Sequence, residues 1–162
     1  MKTFRNHTLK EYSDVLSMRT PTPGGGSAAA LTAVLGVSLL SMVANYSLGK
    51  SVPKSVVNKI RKFLKENEKI RKRLLELVDL DAQAYLGVVK ARKSTRSVRK
   101  KAFKKAREVP FEVSRLCYAV IQKTPFLAAK GNKYLLSDVE VAVELLHAAF
   151  CSAMVNVRIN QV

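Results

Sequence analysis

The chain has 162 residues, 48% of them hydrophobic, so it is long enough to bury a core and has the size of one domain. Its 29 Lys and Arg residues outnumber 12 Asp and Glu, and the resulting formal charge of +17 would attract polyanions. Cys117 and Cys151 form no CxxC pair, and neither histidine lies at zinc-ligand spacing from them, so no metal site is predicted. We expect one domain over residues 1–162, in the reducing cytoplasm.

Helical periodicity begins at residues 8–18, where Thr8 and Glu11 form a capping box and Tyr12 lies on the apolar face. A second helix is predicted over about 26–48. Its residues 28–48 carry no charge and are long enough to span a membrane. Because small and polar residues interrupt this segment, a central buried bundle helix is favoured over a membrane span.

A long helix is predicted from residue 54 to about 93, and it either kinks or packs against another subunit. A basic helix over 97–108 follows, and Pro110 is interpreted as the start of another helix over 111–122. Thr124-Pro125 indicates a restart, and a second capping box, Ser137 with Glu140, predicts the start of a last helix ending near 160. The predicted fold is an all-α helical bundle with a long central buried helix and a long basic helix.

The excess positive charge is concentrated in residues 50–107, which hold twenty Lys and Arg residues and five acids. Such a stripe attracts nucleic acid, anionic lipid or a polyglutamate tail. A solvated helix face that aids solubility explains it equally well.

The segment PTPGGGSAAAL, which starts at Pro21, predicts a helix that begins beside three glycines. Glycine and proline disfavour a helix interior, and from Ser27 onward the composition changes to helix-forming residues, so the helix is expected to begin at about Gly26. A glycine-rich helix start leaves backbone N–H groups free for an anionic or carbonyl-bearing small molecule. The spacing matches neither a Walker loop nor a GxGxxG turn. A tight loop that allows close helix packing is the alternative.

An aspartate interrupts the apolar stripe of the long helix. Steps of three and four residues from Leu74 and Leu77 to Ala84 place Asp81 on the buried face. Burial raises a carboxyl pKa, as a general acid/base needs. A structural ion pair, for example with Arg99, is an equal alternative, and Asp79 on an adjacent face is the second choice.

The last predicted helix carries Ser152, Asn156 and Asn160 at i, i+4 and i+8, a polar ridge among apolar residues. Interhelical hydrogen bonding explains these residues slightly better than ligand binding does. His147 and both cysteines lie in apolar patterns and are predicted to be packed residues.

Five segments together resemble a known family: PTPGGGSAAAL, MVANYSLGK at 42–50, LVDLDAQAY at 77–85, AKGNKYLLSD at 129–138 and NVRIN at 156–160. They resemble the formimidoyltetrahydrofolate cyclodeaminase and methenyltetrahydrofolate cyclohydrolase family in order and spacing. The resemblance implies a homodimeric folate enzyme with a tetrahydrofolate derivative as substrate and no further cofactor. It assigns the catalytic role to Asp81, with Asp79 as the alternative. The substrate contacts that it implies are Gly24, Gly25, Gly26, Ser27, Asn45, Lys50, Asn132, Asp138, Asn156 and Asn160.

Two departures from the family are visible. Only KSTRS stands where members carry a longer connection, and relatives usually continue past Val162 into a further helix. If the chain is an enzyme, the basic segment, with Lys69, Lys72 and Arg73, is expected to hold a folate polyglutamate tail. The competing hypothesis is a non-catalytic protein that binds nucleic acid or an anionic membrane through residues 54–107, although that stripe lacks an RNA-reading aromatic array.

Overall fold

The prediction of an all-α fold is confirmed by a computed structural model, which describes residues 3–161. No strand occurs among these residues. The α-helices are α1 (Leu9–Ser17), α2 (Gly25–Tyr46), α3 (Lys54–Ala91), α4 (Arg96–Ile121), α5 (Thr124–Lys130) and α6 (Leu136–Ile159), with 3-10 turns at Phe4–Asn6 and Lys133–Leu135.

The capping box of α1 is confirmed. The Glu11 backbone N–H donates to Thr8 Oγ1 at 3.1 Å, and the Thr8 N–H donates to Glu11 Oε2 at 2.6 Å. These bonds fix where α1 begins, and with it the direction of Tyr12, the one buried residue of this helix.

Helix α2 is the central helix of the bundle, packed against α3, α4 and α6. By length and composition it could cross a membrane, with a mean hydropathy of 2.0, but 56% of that window is buried inside the bundle. Gly36 lets α6 approach closely, since a Cβ there would lie 2.8 Å from Leu146 Cγ. Gly25 lies opposite Asn156, and Ser47 bonds Asn132, so α6 runs antiparallel to α2.

Helix α3 is unbroken over 38 residues, about 57 Å at 1.5 Å per residue. It runs antiparallel to α4, as two ion pairs show: Arg73 with Glu112 in α4 at 2.8 Å, and Glu66 with Lys123, two residues beyond the end of α4, at 2.7 Å.

The predicted helix break at Pro110 is wrong, because α4 continues through this proline. Proline lacks the N–H that the carbonyl of residue i−4 would accept, here that of Ala106. The Asn160 side chain supplies a donor instead, with Nδ2 at 3.2 Å from Ala106 O.

The connection between α3 and α4 is short, and Thr95 caps α4 by accepting from the Val98 N–H at 3.5 Å.

The capping box predicted at Ser137 and Glu140 is also wrong. Helix α6 begins at Leu136 with no side-chain cap, directly after a 3-10 turn. The chain is already helical at Ser137, so this residue cannot take the extended conformation that an N-cap requires.

Cys117 is buried as predicted. Cys151 and His147, which were also predicted to be packed, are exposed, and Cys151 Sγ lies 3.5 Å from His147 Nε2.

Candidate active site

The start of α2 leaves backbone donors open. Gly24 is the N-cap and has no side chain to bond the first turn, and the first helical bond is from the Ala28 N–H to Gly24 O at 3.0 Å. The N–H groups of Gly25, Gly26 and Ser27 therefore have no acceptor within the helix. These donors and the helix dipole favour negative charge at this corner.

The Asp81 side chain, from α3, lies directly on this helix start. A Cβ at Gly26 would collide with Asp81 Oδ1 and Cγ and would lie only 2.7 Å from Oδ2. Any side chain at Gly26 would thus occupy the place of the carboxyl. This close approach explains the glycine at position 26 without any unusual backbone angle, and it joins two motifs that are more than fifty residues apart.

The environment of Asp81 suits a proton carrier. Burial raises the pKa of its carboxyl, and the backbone N–H of Ser27 opposes that shift because a donor favours the charged form. Asp81 is half-buried and forms no ion pair within residues 3–161, with Arg99 or with any other cation. The structural pairing considered from the sequence is therefore not found there.

Asp79 has a different environment. It is 7% exposed and is held by the N-terminal segment, with Arg5 Nε 3.2 Å from Oδ2 and the Arg5 N–H 3.4 Å from Oδ1. This pair fastens the segment before α1 to α3. Of the two aspartates, the geometry favours Asp81 as the acid/base.

Sequence reasoning missed Tyr12 as a member of this corner. Its hydroxyl lies 3.0 Å from Ser27 Oγ, and Ser27 is completely buried. Burial, and to a smaller extent the charge of Asp81, raises the pKa of the Tyr12 hydroxyl. The capping box and the apolar periodicity indicated that Tyr12 is buried, but they carried no information about its partner on α2.

Asn156 approaches the corner from α6. Its amide atoms lie 3.7 and 3.9 Å from the position of a Cβ on Gly25, and its Nδ2 donates to Ser152 O at 3.0 Å. Ser152 itself is exposed, so the predicted polar ridge is not a buried one. Among the predicted substrate contacts, the three glycines, Ser27 and Asn156 are thus brought together with Asp81.

Asn160 lies one turn further along α6, where its Nδ2 donates to the Ala106 carbonyl that Pro110 leaves without a helical donor. This bond gives Asn160 a structural role, whether or not it also contacts substrate.

A double-mutant cycle tests that role. Asn160→Ala is expected to lower the free energy of unfolding by about 1–3 kcal/mol, because Ala106 O loses its donor. In a Pro110→Ala background, where a backbone N–H reaches Ala106 O, the same change is expected to cost much less. Chemical denaturation of the four proteins measures both values, and equal costs in the two backgrounds would contradict the assignment.

The remaining predicted contacts lie at the opposite end of α2. Asn45 and Lys50 are exposed there, and the Asn132 N–H donates to Ser47 Oγ at 2.8 Å. Asp138 is half-buried in the first turn of α6. Because α2 has 22 residues, about 33 Å separates this group from the Gly24–Ser27 corner within one chain.

A basic groove is lined in part by Asn160, four residues after Asn156 in the chain. Its volume is about 1080 Å³, and it is lined by Arg96, Ser97, Arg99, Lys100, Phe103, Lys104, Arg107 and Asn160. The expected tail-binding residues Lys72 and Arg73 are instead engaged by acids, Lys72 by Glu68 at 3.3 Å and Arg73 by Glu76 at 2.7 Å. Lys69, the third residue expected to bind the tail, forms no ion pair within residues 3–161, and neither do several other cations of α3. On the first half of α4, Lys104 lies 3.8 Å from Glu108.

The fold and this corner define an all-helical protein whose site combines a shielded carboxyl with a glycine-rich helix start. Within residues 3–161, no group of three His, Cys, Asp or Glu side chains could hold a metal ion. The sequence model of formiminotransferase-cyclodeaminase matches residues 8–162. The chain therefore belongs to the formiminotransferase-cyclodeaminase family.

Relatives of two kinds match the chain. Methenyltetrahydrofolate cyclohydrolase of Methylorubrum extorquens is 34% identical over 96% of this chain and 79% of its own length. The crystal structure of formiminotetrahydrofolate cyclodeaminase from Thermotoga maritima superposes with a TM-score of 0.92 at 35% identity, covering 96% of this chain and 78% of the other. Formimidoyltransferase-cyclodeaminase of Rattus norvegicus is 30% identical over 94% of this chain, which spans only 30% of that longer protein.

Proposed function

We propose that this chain is an enzyme of folate one-carbon metabolism that acts on the carbon bridging N5 and N10 of tetrahydrofolate. The observation that carries the proposal is the Asp81 carboxyl lying on the open helix start at Gly26. The names of the relatives, a cyclohydrolase and a cyclodeaminase, support the same substrate class. Residues 1–162 act as one catalytic domain in this proposal.

In the cyclodeaminase reaction, N10 of 5-formimidoyltetrahydrofolate attacks the formimidoyl carbon. A tetrahedral carbon forms, the C–N bond to the amine breaks, and ammonia leaves as 5,10-methenyltetrahydrofolate forms. N10 must lose a proton, and the leaving nitrogen must gain one. A single carboxyl with a raised pKa performs both transfers in turn, and this is the role we give to Asp81.

The cyclohydrolase reaction uses the same carbon and the same proton transfers, with water as the nucleophile. Asp81 then takes a proton from the attacking water and returns it to the departing nitrogen. The N–H groups of Gly25 and Gly26 and the Asn156 amide bind the polar edge of the substrate in either reaction. No cofactor beyond the folate is part of the proposal.

The deciding experiment uses the absorbance of methenyltetrahydrofolate to measure its formation in one reaction and its decay in another. One reaction starts from 5-formimidoyltetrahydrofolate with ammonia measured, and the other starts from methenyltetrahydrofolate with its decay measured. Turnover in the first identifies a cyclodeaminase, and turnover only in the second identifies a cyclohydrolase. Folded protein that is inactive in both refutes the proposed function and leaves the basic groove as the leading feature.

We further propose that the basic groove on α4 binds the glutamate tail of a polyglutamylated folate. It begins at Asn160, four residues or about 6 Å along α6 from Asn156 in the corner. A tail leaving the corner thus meets five cationic side chains. The residues that matter for the tail are then Arg99 and Lys100 rather than Lys72 and Arg73.

Combining Arg99→Glu with Lys100→Glu is expected to raise KM for a polyglutamylated folate about tenfold, since exposed charge contacts contribute up to about 1 kcal/mol each. KM for the monoglutamate is expected to change little. Lys69→Glu combined with Lys72→Glu makes the same change in net charge on α3 and is the matched control. Equal effects of the two double variants, or equal effects on both folates, would contradict a tail site on α4.

We also propose a homodimer as the working form. Leu35, at the midpoint of α2, is 50% exposed, and Val141 and Val155 on the antiparallel α6 are 51% and 45% exposed. A two-fold axis near Leu35 would bring the end of α2 of a second copy beside the Gly24–Ser27 corner, and with it the distant group of predicted contacts. Light scattering at assay concentration tests this, and a monomer with full activity would refute it.

Non-catalytic binding to nucleic acid or an anionic membrane is not favoured, since the relatives are a cyclohydrolase and a cyclodeaminase of folate chemistry. The free thiols of Cys117 and Cys151 suit a reducing, cytoplasmic setting.

A further inference from the structure

Tyr12 is the residue by which α1 is attached to the corner. It is 7% exposed and is the one buried residue of α1, and the Phe4 ring meets its ring edge-on with centroids 6.3 Å apart. Its hydroxyl lies 3.0 Å from Ser27 Oγ, and this contact is buried. A buried hydroxyl needs a partner, so the pair is fixed rather than incidental.

Ser27 links Tyr12 to Asp81. The Ser27 hydroxyl faces Tyr12, while Gly26, the residue before Ser27, lies against the Asp81 carboxyl. Because Ser27 is completely buried in the first turn of α2, a displacement of its side chain also displaces the adjoining Gly26, against which the carboxyl lies.

We propose that Tyr12 is a positioning residue for Asp81: acting through Ser27, it fixes the start of α2, against which the carboxyl lies. The consequence for turnover rests on the proposed function, whereas the consequence for the carboxyl itself does not. Without the hydroxyl, the Ser27 side chain loses its partner, the start of α2 is held less firmly, and water gains access to Asp81.

Other charged groups near the corner remain unchanged when the tyrosine hydroxyl is removed. Helix α2 carries no charged residue, and Asp79 on α3 is paired with Arg5. His7 packs against Phe4, with ring centroids 5.5 Å apart, and the charged residues of α1 (Lys10, Glu11 and Asp14) are exposed. A change at Asp81 in a Tyr12 variant therefore reports on the corner itself.

The test is Tyr12→Phe, which keeps the ring and its contact with Phe4. The value of kcat is expected to fall about tenfold with KM within about twofold, since small displacements of a reacting group lower the rate rather than binding. Ser27→Ala is expected to have a similar effect, and the double variant no more than either single one, because both act through one hydrogen bond. Tyr118→Phe, at a side chain that is 58% exposed on α4, is the matched control and is expected to leave kcat and KM unchanged.

A second measurement needs no folate. NMR titration of the Asp81 carboxyl is expected to give a lower pKa in Tyr12→Phe than in the unmodified protein, because water reaches a less shielded carboxyl. An unchanged pKa overturns the positioning role, whatever the assays show. A lowered pKa together with an inactive unmodified protein supports the positioning role and refutes the proposed function, so the two failures are distinguishable.

Discussion

Asp81→Asn is expected to lower kcat by about 10²–10⁴-fold while the bundle stays folded, because the variant loses the proton carrier and nothing else. Asparagine has nearly the same shape and still offers an oxygen to the Ser27 N–H. KM is expected to change little, since the amide fills the same space against Gly26. The methenyltetrahydrofolate assay measures the loss, and circular dichroism establishes that the helices are retained.

The same variant has a distinct signature in stability. A carboxyl whose pKa is raised in the folded protein contributes stability that is fully present below its unfolded pKa and is lost as pH rises through the folded pKa. At neutral pH the charged Asp81 carboxylate therefore lowers the free energy of unfolding. We expect Asp81→Asn to melt at the same or a higher temperature than the unmodified protein at pH 7, with the difference vanishing in acid.

Asp79→Asn is the matched control on the same helix. It weakens the pair between the buried Asp79 and the half-exposed Arg5, so we expect a lower melting temperature at pH 7 and a kcat close to that of the unmodified protein. The two variants should thus show opposite patterns, one losing activity and the other stability. If Asp81→Asn retained activity and Asp79→Asn lost it, the assignment of the acid/base would have to be reversed.

The fold was largely predictable because its signals are local. The 3.6-residue periodicity, the Thr8 capping box and the Thr124-Pro125 restart each depend on residues within one or two turns. The errors arose where the controlling partner is distant. Pro110 was expected to begin a helix, but its missing hydrogen bond is replaced by Asn160, and the two positions are fifty residues apart in the sequence.

The candidate site was predictable in part for the same reason. Periodicity placed Asp81 on the buried face, and glycine composition located the start of α2, but neither pattern indicated that the two are in contact. That contact depends on the angle between α2 and α3, which packing of the whole bundle determines. Tyr12 was recognised as apolar surface of α1, while its hydrogen bond to Ser27 depends on how α1 docks.

Gly26→Ala is expected to lower kcat about 100-fold, because the new methyl group would occupy the place of the Asp81 carboxyl. The side chain of Asp81 must rotate away from the Ser27 N–H, and a displacement of about 1 Å of a catalytic group costs on the order of 10² in rate. Stability is expected to change little, since alanine favours the helix over glycine by about 1 kcal/mol and the rotated aspartate offsets that gain. Steady-state kinetics and thermal unfolding measure the two effects.

Gly87→Ala is the control for Gly26→Ala, because it makes the same glycine-to-alanine change at a position where the new methyl group meets no neighbour. Gly87 lies within α3, less than two turns beyond Asp81, and a Cβ there would meet nothing within 4 Å. We expect this variant to gain up to about 1 kcal/mol of stability and to keep its kcat. A loss of activity in both variants would indicate that α3 tolerates no change near the site, whereas a loss in Gly26→Ala alone would mean that the carboxyl must lie against the helix start. The double variant should then have the same kcat as Asp81→Asn alone, because the amide transfers no proton whether or not Gly26→Ala displaces it.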